Sequence, residues 1–191
     1  MKIFNYFIIL LFISACSALP NYYMDSSLIS EKTECSYDKF TSMNLCQSPS
    51  FKNTEYIEKN DSKVLQEKED KLFGIWGPNM SFKTYCDKNN RVNQIYFMSA
   101  NNDWIFYSGA YDEYGNVLDF VEIDRSVKNV FGQVLVTEEF GINVSLDYLL
   151  KYKDTNKGLD IKLVGKNGYY IYTIQPTMID AFVMQIKNMK C

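Results

Sequence analysis

The sequence has no histidine. That absence removes Ser-His-Asp and Cys-His nucleophile pairs, and histidine-ligated metal sites with them. It has no basic excess either: 20 Lys plus Arg stand against 23 Asp plus Glu, a balance that offers no phosphate-tracking surface for nucleic acid. No Gly-rich phosphate loop sits between a strand and a helix pattern. The apolar run from Ile3 to Ile13, broken by Asn5, is too short for a bilayer, which needs about 20 residues. What is present is ordinary globular composition. The 191 residues are 47% hydrophobic and 23% charged, enough for one domain with a sizeable core.

Lys2 followed by that short apolar run has the shape of a signal peptide. Ile13-Ser14-Ala15-Cys16 resembles the lipobox of bacterial lipoproteins. The resemblance implies that residues 1–15 are removed and that Cys16 is lipidated as residue one. With Ser17 rather than Asp next, it also implies the outer membrane of a Gram-negative host, facing the periplasm or the surface. Cleavage after Ala18, which releases a secreted protein, is the alternative, and a buried N-terminal helix is a third reading.

Either cleavage leaves Cys35, Cys46, Cys86 and Cys191, and an even count in an exported protein implies two disulfides. Three connectivities are open. We take Cys35–Cys46 as a local staple and Cys86–Cys191 as the tie between the C-terminus and the body. A Cys35–Cys46 metal site is disfavoured by spacing and by export, and we expect no metal and no cofactor.

Residues 16–50 are Ser-rich with no sustained period and read as a stapled spacer behind the lipid. Residues 51–71 are dense in charge, with Tyr56, Ile57, Val64 and Leu65 spaced as the stripe of a surface helix. From 72 to 191 the period changes to two. Leu159, Ile161 and Leu163 alternate with Asp160 and Lys162; Ile142, Val144, Leu146 and Tyr148 alternate in the same way. Val117 to Ile123 reads as a further strand, and Tyr169 to Ile174 as one covered on both faces. Turn clusters such as Asp112-Glu113-Tyr114-Gly115-Asn116 separate these runs. The pattern predicts an all-β antiparallel meander, closed as an up-and-down barrel or a sandwich because an open sheet would leave exposed edges. Thr177 to Lys190 predicts a short terminal helix, with a last strand as the alternative.

Gly74-Ile75-Trp76, with Lys71 before it, resembles the first-strand motif of the lipocalins and their calycin relatives, although Gly77 stands where the family has Tyr. The resemblance implies a barrel whose one end is closed by Trp76. Thr84-Tyr85-Cys86-Asp87 with Ser108-Gly109-Ala110-Tyr111 resembles the membrane-bound lysozyme-inhibitor lipoproteins. That likeness implies a protein-binding loop at Ser108, Gly109 and Tyr111.

Paired carboxylates Glu122 with Asp124, read as sharing a strand face, and Glu138-Glu139 have the form of acid–base pairs. Such pairs also decorate exposed strands and turns, and we read them so. Asp112, Glu113 and Asn116 offer calcium ligands or, as we read them, a hairpin turn. The aromatic crowd from Tyr96 to Tyr114 is either core packing or a cavity lining. The leading expectation is a non-catalytic, lipid-anchored barrel holding a small apolar ligand against Trp76, Tyr96, Trp104 and Phe106. The competing one is an envelope or surface interaction protein with a filled barrel. No nucleic acid is expected, and membrane contact is through the lipid.

Overall fold

The computed structural model describes residues 25–59, 62–67, 71–72, 75–130, 132–153, 155 and 157–191, with backbone alone at 55–76, 130 and 133. The leader and Cys16 lie outside the described residues. In chain order the elements are α1 (Ser26–Glu31), β1 (Glu34–Asp38), β2 (Met43–Gln47), β3 (Thr54–Lys59), β4 (Ser62–Glu67), β5 (Lys71–Leu72), β6 (Ile75–Trp76), β7 (Asn79–Cys86), β8 (Arg91–Asn101), β9 (Tyr107–Asp112), β10 (Asp119–Val130), β11 (Gln133–Asn143), α2 (Leu146–Lys153), β12 (Leu159–Gly165), β13 (Gly168–Ile174) and α3 (Pro176–Asn188).

The fold is mostly antiparallel β, in a six-stranded sheet ordered β1-β2-β7-β8-β11-β10 and a three-stranded sheet ordered β13-β12-β9. The pairings among the described residues are antiparallel, as expected, but their order is not a simple meander: β8 pairs with β11 rather than β9, and β9 pairs with β12 in the second sheet. Among the described residues the two sheets do not close into one barrel. Alternation supplies the inner faces: Met80 and Phe82 of β7, Ile95 and Phe97 of β8, and Phe140 and Ile142 of β11 are buried in one core with Leu159, Ile161 and Leu163 of β12 and Tyr170, Tyr172 and Ile174 of β13. Helix α3 packs into the same core. Phe182 stacks on Phe82 with ring centroids 4.3 Å apart, and Met178, Ile179, Val183 and Ile186 are buried around it. Pro176 at its start forfeits an N–H that a helix leaves unpaired anyway.

Two seams join the sheets. On one side Tyr111 bridges Val117, and Leu118 donates its N–H to the Ala110 carbonyl at 2.9 Å as the chain passes from β9 to β10. On the other, Phe51 bridges Met80 of β7, while Asn53 Oδ1 accepts the Thr173 N–H at 3.0 Å and its Nδ2 donates to the Ile171 carbonyl at 3.0 Å.

Four readings change. Within 16–50, the described part is no spacer: Ile29 of α1 is buried in the core, α1 packs against α3, and β2 pairs with β7. The expected helix at 51–71 is instead a β3–β4 ladder. In its backbone register Tyr56 is opposite Leu65 and Ile57 opposite Val64, so a spacing that fits a helical stripe also fits cross-strand register partners. The strand read through Tyr148 stops at Asn143. Ser145 Oγ accepts the Tyr148 N–H at 3.1 Å, a helix N-cap, with Asp147 in the first turn of α2 and Lys151 and Lys153 in the last. Strand β13 is covered on one face only, since Tyr169 and Ile171 are exposed.

Cys35–Cys46 and Cys86–Cys191 stand at disulfide-bonding distance, the pairing the sequence reading took. The first joins directly opposite residues of β1 and β2. The second closes a loop of 105 residues, a constraint on the unfolded chain worth about 4–5 kcal/mol at most.

Candidate functional site

Among the described side chains singled out as ligand contacts, Tyr96 has partners different from those of Trp104 and Phe106. Tyr96 projects from β8, its hydroxyl donating to the Glu139 carboxylate, with Lys83 Nζ 3.2 Å from its ring centroid. Burial, reinforced by Glu139, raises the Tyr96 phenol, and burial lowers the Lys83 ammonium against the pull of Glu139. Trp104 stacks on Phe106 at 5.7 Å, and the Arg125 guanidinium lies 5.5 Å from the Phe106 ring. The structure therefore brings Trp104 and Phe106 together and gives Tyr96 different partners. The Trp76 backbone pairs with Lys71, and its side chain lies outside the described residues.

Glu138, read as a surface carboxylate, is 2% exposed. It alternates inward while its neighbour Glu139 faces outward, as strand geometry requires. Its oxygens accept the backbone N–H groups of Ile105 at 2.9 Å and Tyr107 at 3.0 Å, and Arg125 Nε lies 3.5 Å away. Arg125 also donates to the Tyr107 carbonyl at 2.8 Å and pairs with Glu122 at 3.0 Å. This cluster fastens the start of β9 to the six-stranded sheet. Glu122 and Asp124 do not share a face. A register shift between them sets Glu122 opposite Phe140 and Asp124 opposite Glu139, consecutive residues that point to opposite sides.

Ser108, Gly109 and Tyr111 lie in β9, not in a loop. Strand β12 takes up the backbone of this segment, pairing Gly109 with Val164 and Tyr111 with Lys162. The outer face so formed is apolar and uncovered among the described residues: Tyr111 is 38% exposed, Tyr169 39%, Ile171 41% and Val117 75%. Lys162 sits in the middle of it, its Nζ 4.6 Å from the Tyr169 ring centroid. A side chain at Gly109 would meet nothing within 4 Å, so the backbone there is open to an approaching surface.

Beside this face, between the β9–β10 turn and α2, lies an open cleft of about 890 Å³. Asp112 builds its rim. Oδ1 accepts the N–H groups of Tyr114 at 2.9 Å and Asn116 at 2.8 Å, and Oδ2 takes the Asn116 side-chain amide at 2.9 Å. Burial works to raise the Asp112 carboxyl, but these bonds outweigh it and hold the group below its ordinary value. Gly115, at φ +82°, supplies the left-handed turn residue. The turn thus engages both oxygens that a calcium ion would need from Asp112.

Lys157 Nζ contacts Glu113 Oε2 at 2.8 Å, and with Tyr114 it holds that carboxyl low. Tyr148 and Tyr152, rings 5.3 Å apart, form the α2 wall. Asn143 donates to Asp119 at 2.9 Å and accepts from Gln94 at 3.2 Å, so its amide is fixed at both ends. Sequence reasoning missed this wall because Tyr148 alternates as a strand residue would. The signal that was available is Ser145 just before Leu146 with lysines at 151 and 153, a helix start and stop. No protein-family model, curated protein or solved structure matches the chain.

Proposed function

We propose that this is an exported, non-catalytic envelope or surface interaction protein, lipid-anchored through Cys16, which binds a macromolecular partner with the outer face of β9, β12 and β13. The observation that carries this reading is an apolar sheet face left open, among the described residues, beside an interior packed with the protein's own side chains. Phe51, Phe82, Phe97, Phe140, Tyr172 and Phe182 are all fully buried, whereas Tyr111, Val117, Tyr169 and Ile171 face outward. An apolar face of this kind on a soluble domain marks a site of association. Two cysteine pairs at bonding distance agree with an oxidising compartment. The two seams at Val117 and Asn53 support reading the sheets as two sides of a barrel-like wrap around α3.

The test is site-specific photo-crosslinking in the exporting host, with the crosslinker at position 111 or 171 and a control at Lys128 on β10. A discrete protein adduct at 111 and 171, absent at 128, is the expected result. No adduct at either position, together with a native-only mass increment matching one small apolar molecule, would overturn it in favour of a ligand carrier.

A further inference from the structure

We infer that the two cysteine pairs form one thiol–disulfide exchange site, entered by a small external thiol at Cys35 and left at Cys191. Each pair joins one exposed cysteine to one buried one, Cys35 to Cys46 and Cys191 to Cys86. The two buried members belong to a single cluster with Met189. Strand register places them there. Cys46 of β2 lies opposite Thr84 and Cys86 of β7 opposite Asn44, so the two cysteines are diagonal neighbours on one face. Diagonal neighbours in an antiparallel pair stand about 7–8 Å apart, and somewhat less between their Cβ atoms.

Cys35 is the open end. Its strand β1 ends the six-stranded sheet and is exposed along its whole length. Cys35 also lines an open cavity of about 480 Å³, together with Lys32, Glu34 and Gln47. A small thiol has room there to reach Cys35 Sγ, whereas Cys46 is covered. Cys191 is the stabilised end. The Arg91 guanidinium donates to Cys191 Sγ at 2.9 Å, and the Ile186 and Met189 carbonyls hold it in place at 3.0 and 2.9 Å. Arg91 also stands opposite Cys86 in the β7–β8 register. A fixed cation beside a sulfur favours its thiolate, and the better stabilised thiolate is the better leaving group.

These placements order the steps. An external thiolate attacks Cys35 Sγ, the Cys35–Cys46 bond breaks, and its electron pair leaves on Cys46. Burial among apolar side chains disfavours a thiolate there. It attacks Cys86 Sγ, a Cys46–Cys86 bond forms as Cys86–Cys191 breaks, and the electron pair leaves on Cys191, exposed and beside Arg91. One thiol is consumed. One mixed disulfide on Cys35, one internal disulfide and one Cys191 thiolate result, with the proton of the incoming thiol released to solvent, so no oxidant is required. Outside attack at Cys191 would instead strand the charge on Cys86, which is fully buried. Bridging Cys46 to Cys86 asks β2 to move by about 1–2 Å. That strand is paired to β7 only from Asn44 to Gln47, and its clip to β1 is by then open. The site lies at β1, β2 and β7 and does not rest on the face proposed for the partner.

The experiment treats the oxidised protein, as purified from its exporting host, with reduced glutathione. Free thiols are trapped with N-ethylmaleimide and every cysteine is mapped by peptide mass spectrometry. Glutathione on Cys35, N-ethylmaleimide on Cys191 and a Cys46–Cys86 cross-linked peptide are expected. Glutathione on Cys191, a trapped Cys46 beside an intact Cys86–Cys191 bond, or no reaction overturns the inference. Cys35→Ser supplies the Cys46 thiol without any added reagent, and is expected to carry Cys46–Cys86 with Cys191 open to N-ethylmaleimide. Retention of Cys86–Cys191 in that variant overturns the second step and the inference with it. Arg91→Gln separates activation from support. Losing only its hold on the end of α3 would bare the bond and speed exchange, whereas losing the cation should slow the appearance of the Cys191 thiol at least about 3-fold, with Arg91→Lys restoring part of the rate. An unchanged or faster rate in Arg91→Gln overturns the exit at Cys191.

Discussion

The two faces of β13 differ by a single step along the chain. Tyr170, Tyr172 and Ile174 point inward and are buried, while Tyr169 and Ile171 point outward and remain exposed. Both sets are aromatic or β-branched, so composition does not distinguish them. Their energetic roles are opposite. The inner set is needed to fold, because each side chain is removed from water and packed against β8, β11 and α3. Folding makes no comparable demand on the outer set. Tyr111 of β9, across β12 from β13, and Val117, bridged to it, repeat the pattern on the same side, and this is the face that we propose for contact.

The largest way to test this contrast is Tyr172→Ala. The ring packs edge-on to Phe97 at 5.4 Å, and its hydroxyl donates to the Phe51 carbonyl at 2.9 Å. We expect a loss of about 3–5 kcal/mol in urea unfolding of the oxidised domain. A loss below about 1 kcal/mol would mean that the inner face is not the packed one.

Next is the joint that holds β9 in place so that its outer face exists. Glu138→Gln keeps the volume but removes the charge facing Arg125 and weakens the bonds to Ile105 and Tyr107. About 2 kcal/mol of stability should be lost, and hydrogen exchange at Tyr107 should quicken more than at residues of β7.

The β9–β10 turn gives a smaller, pH-dependent effect. The Asp112 carboxyl is depressed below its ordinary 3.8 in the folded chain, so its contribution is present above that value and disappears as pH falls through the lower folded one. Stability should therefore decline below about pH 4. Asp112→Asn should flatten that part of the acid limb in a pH series of melting temperatures, and an unchanged slope would show that the turn does not depend on the carboxylate.

The smallest expected effect is the most telling for the outer face. Ile171→Ala should change stability by no more than about 0.5 kcal/mol, as exposed substitutions do, while reducing the adduct at position 111. A large stability loss would place Ile171 in packing after all.

Much of the sheet structure was legible because strand alternation is a local signal. Leu159, Ile161 and Leu163 alternate in the sequence and all three are buried in β12. The cysteine pairing was also approachable, since few thiols leave few connectivities. The charged segment 54–67 was not, because spacing alone does not separate a helical stripe from residues facing each other across a hairpin. Glu138 and Glu139 look alike in sequence, and only the register of β11 against β8 and β10 sends one into the core and the other to Tyr96. The cleft wall was missed for a similar reason. Ser145 caps a helix only once β11 has ended, and the pairing of its last residue, Asn143, with Asp119 and Gln94 is a tertiary event.

By itself, then, the sequence determined an antiparallel β protein with a terminal helix, because alternation, turn residues and cap signals act over a few neighbouring residues. Tertiary structure decided which of two similar faces is covered, where α3 fills the core, and which side chains gather beside the β9–β10 turn. Those outcomes depend on which strands become neighbours, and pairing across about 30 residues or more leaves no mark on any single stretch of chain.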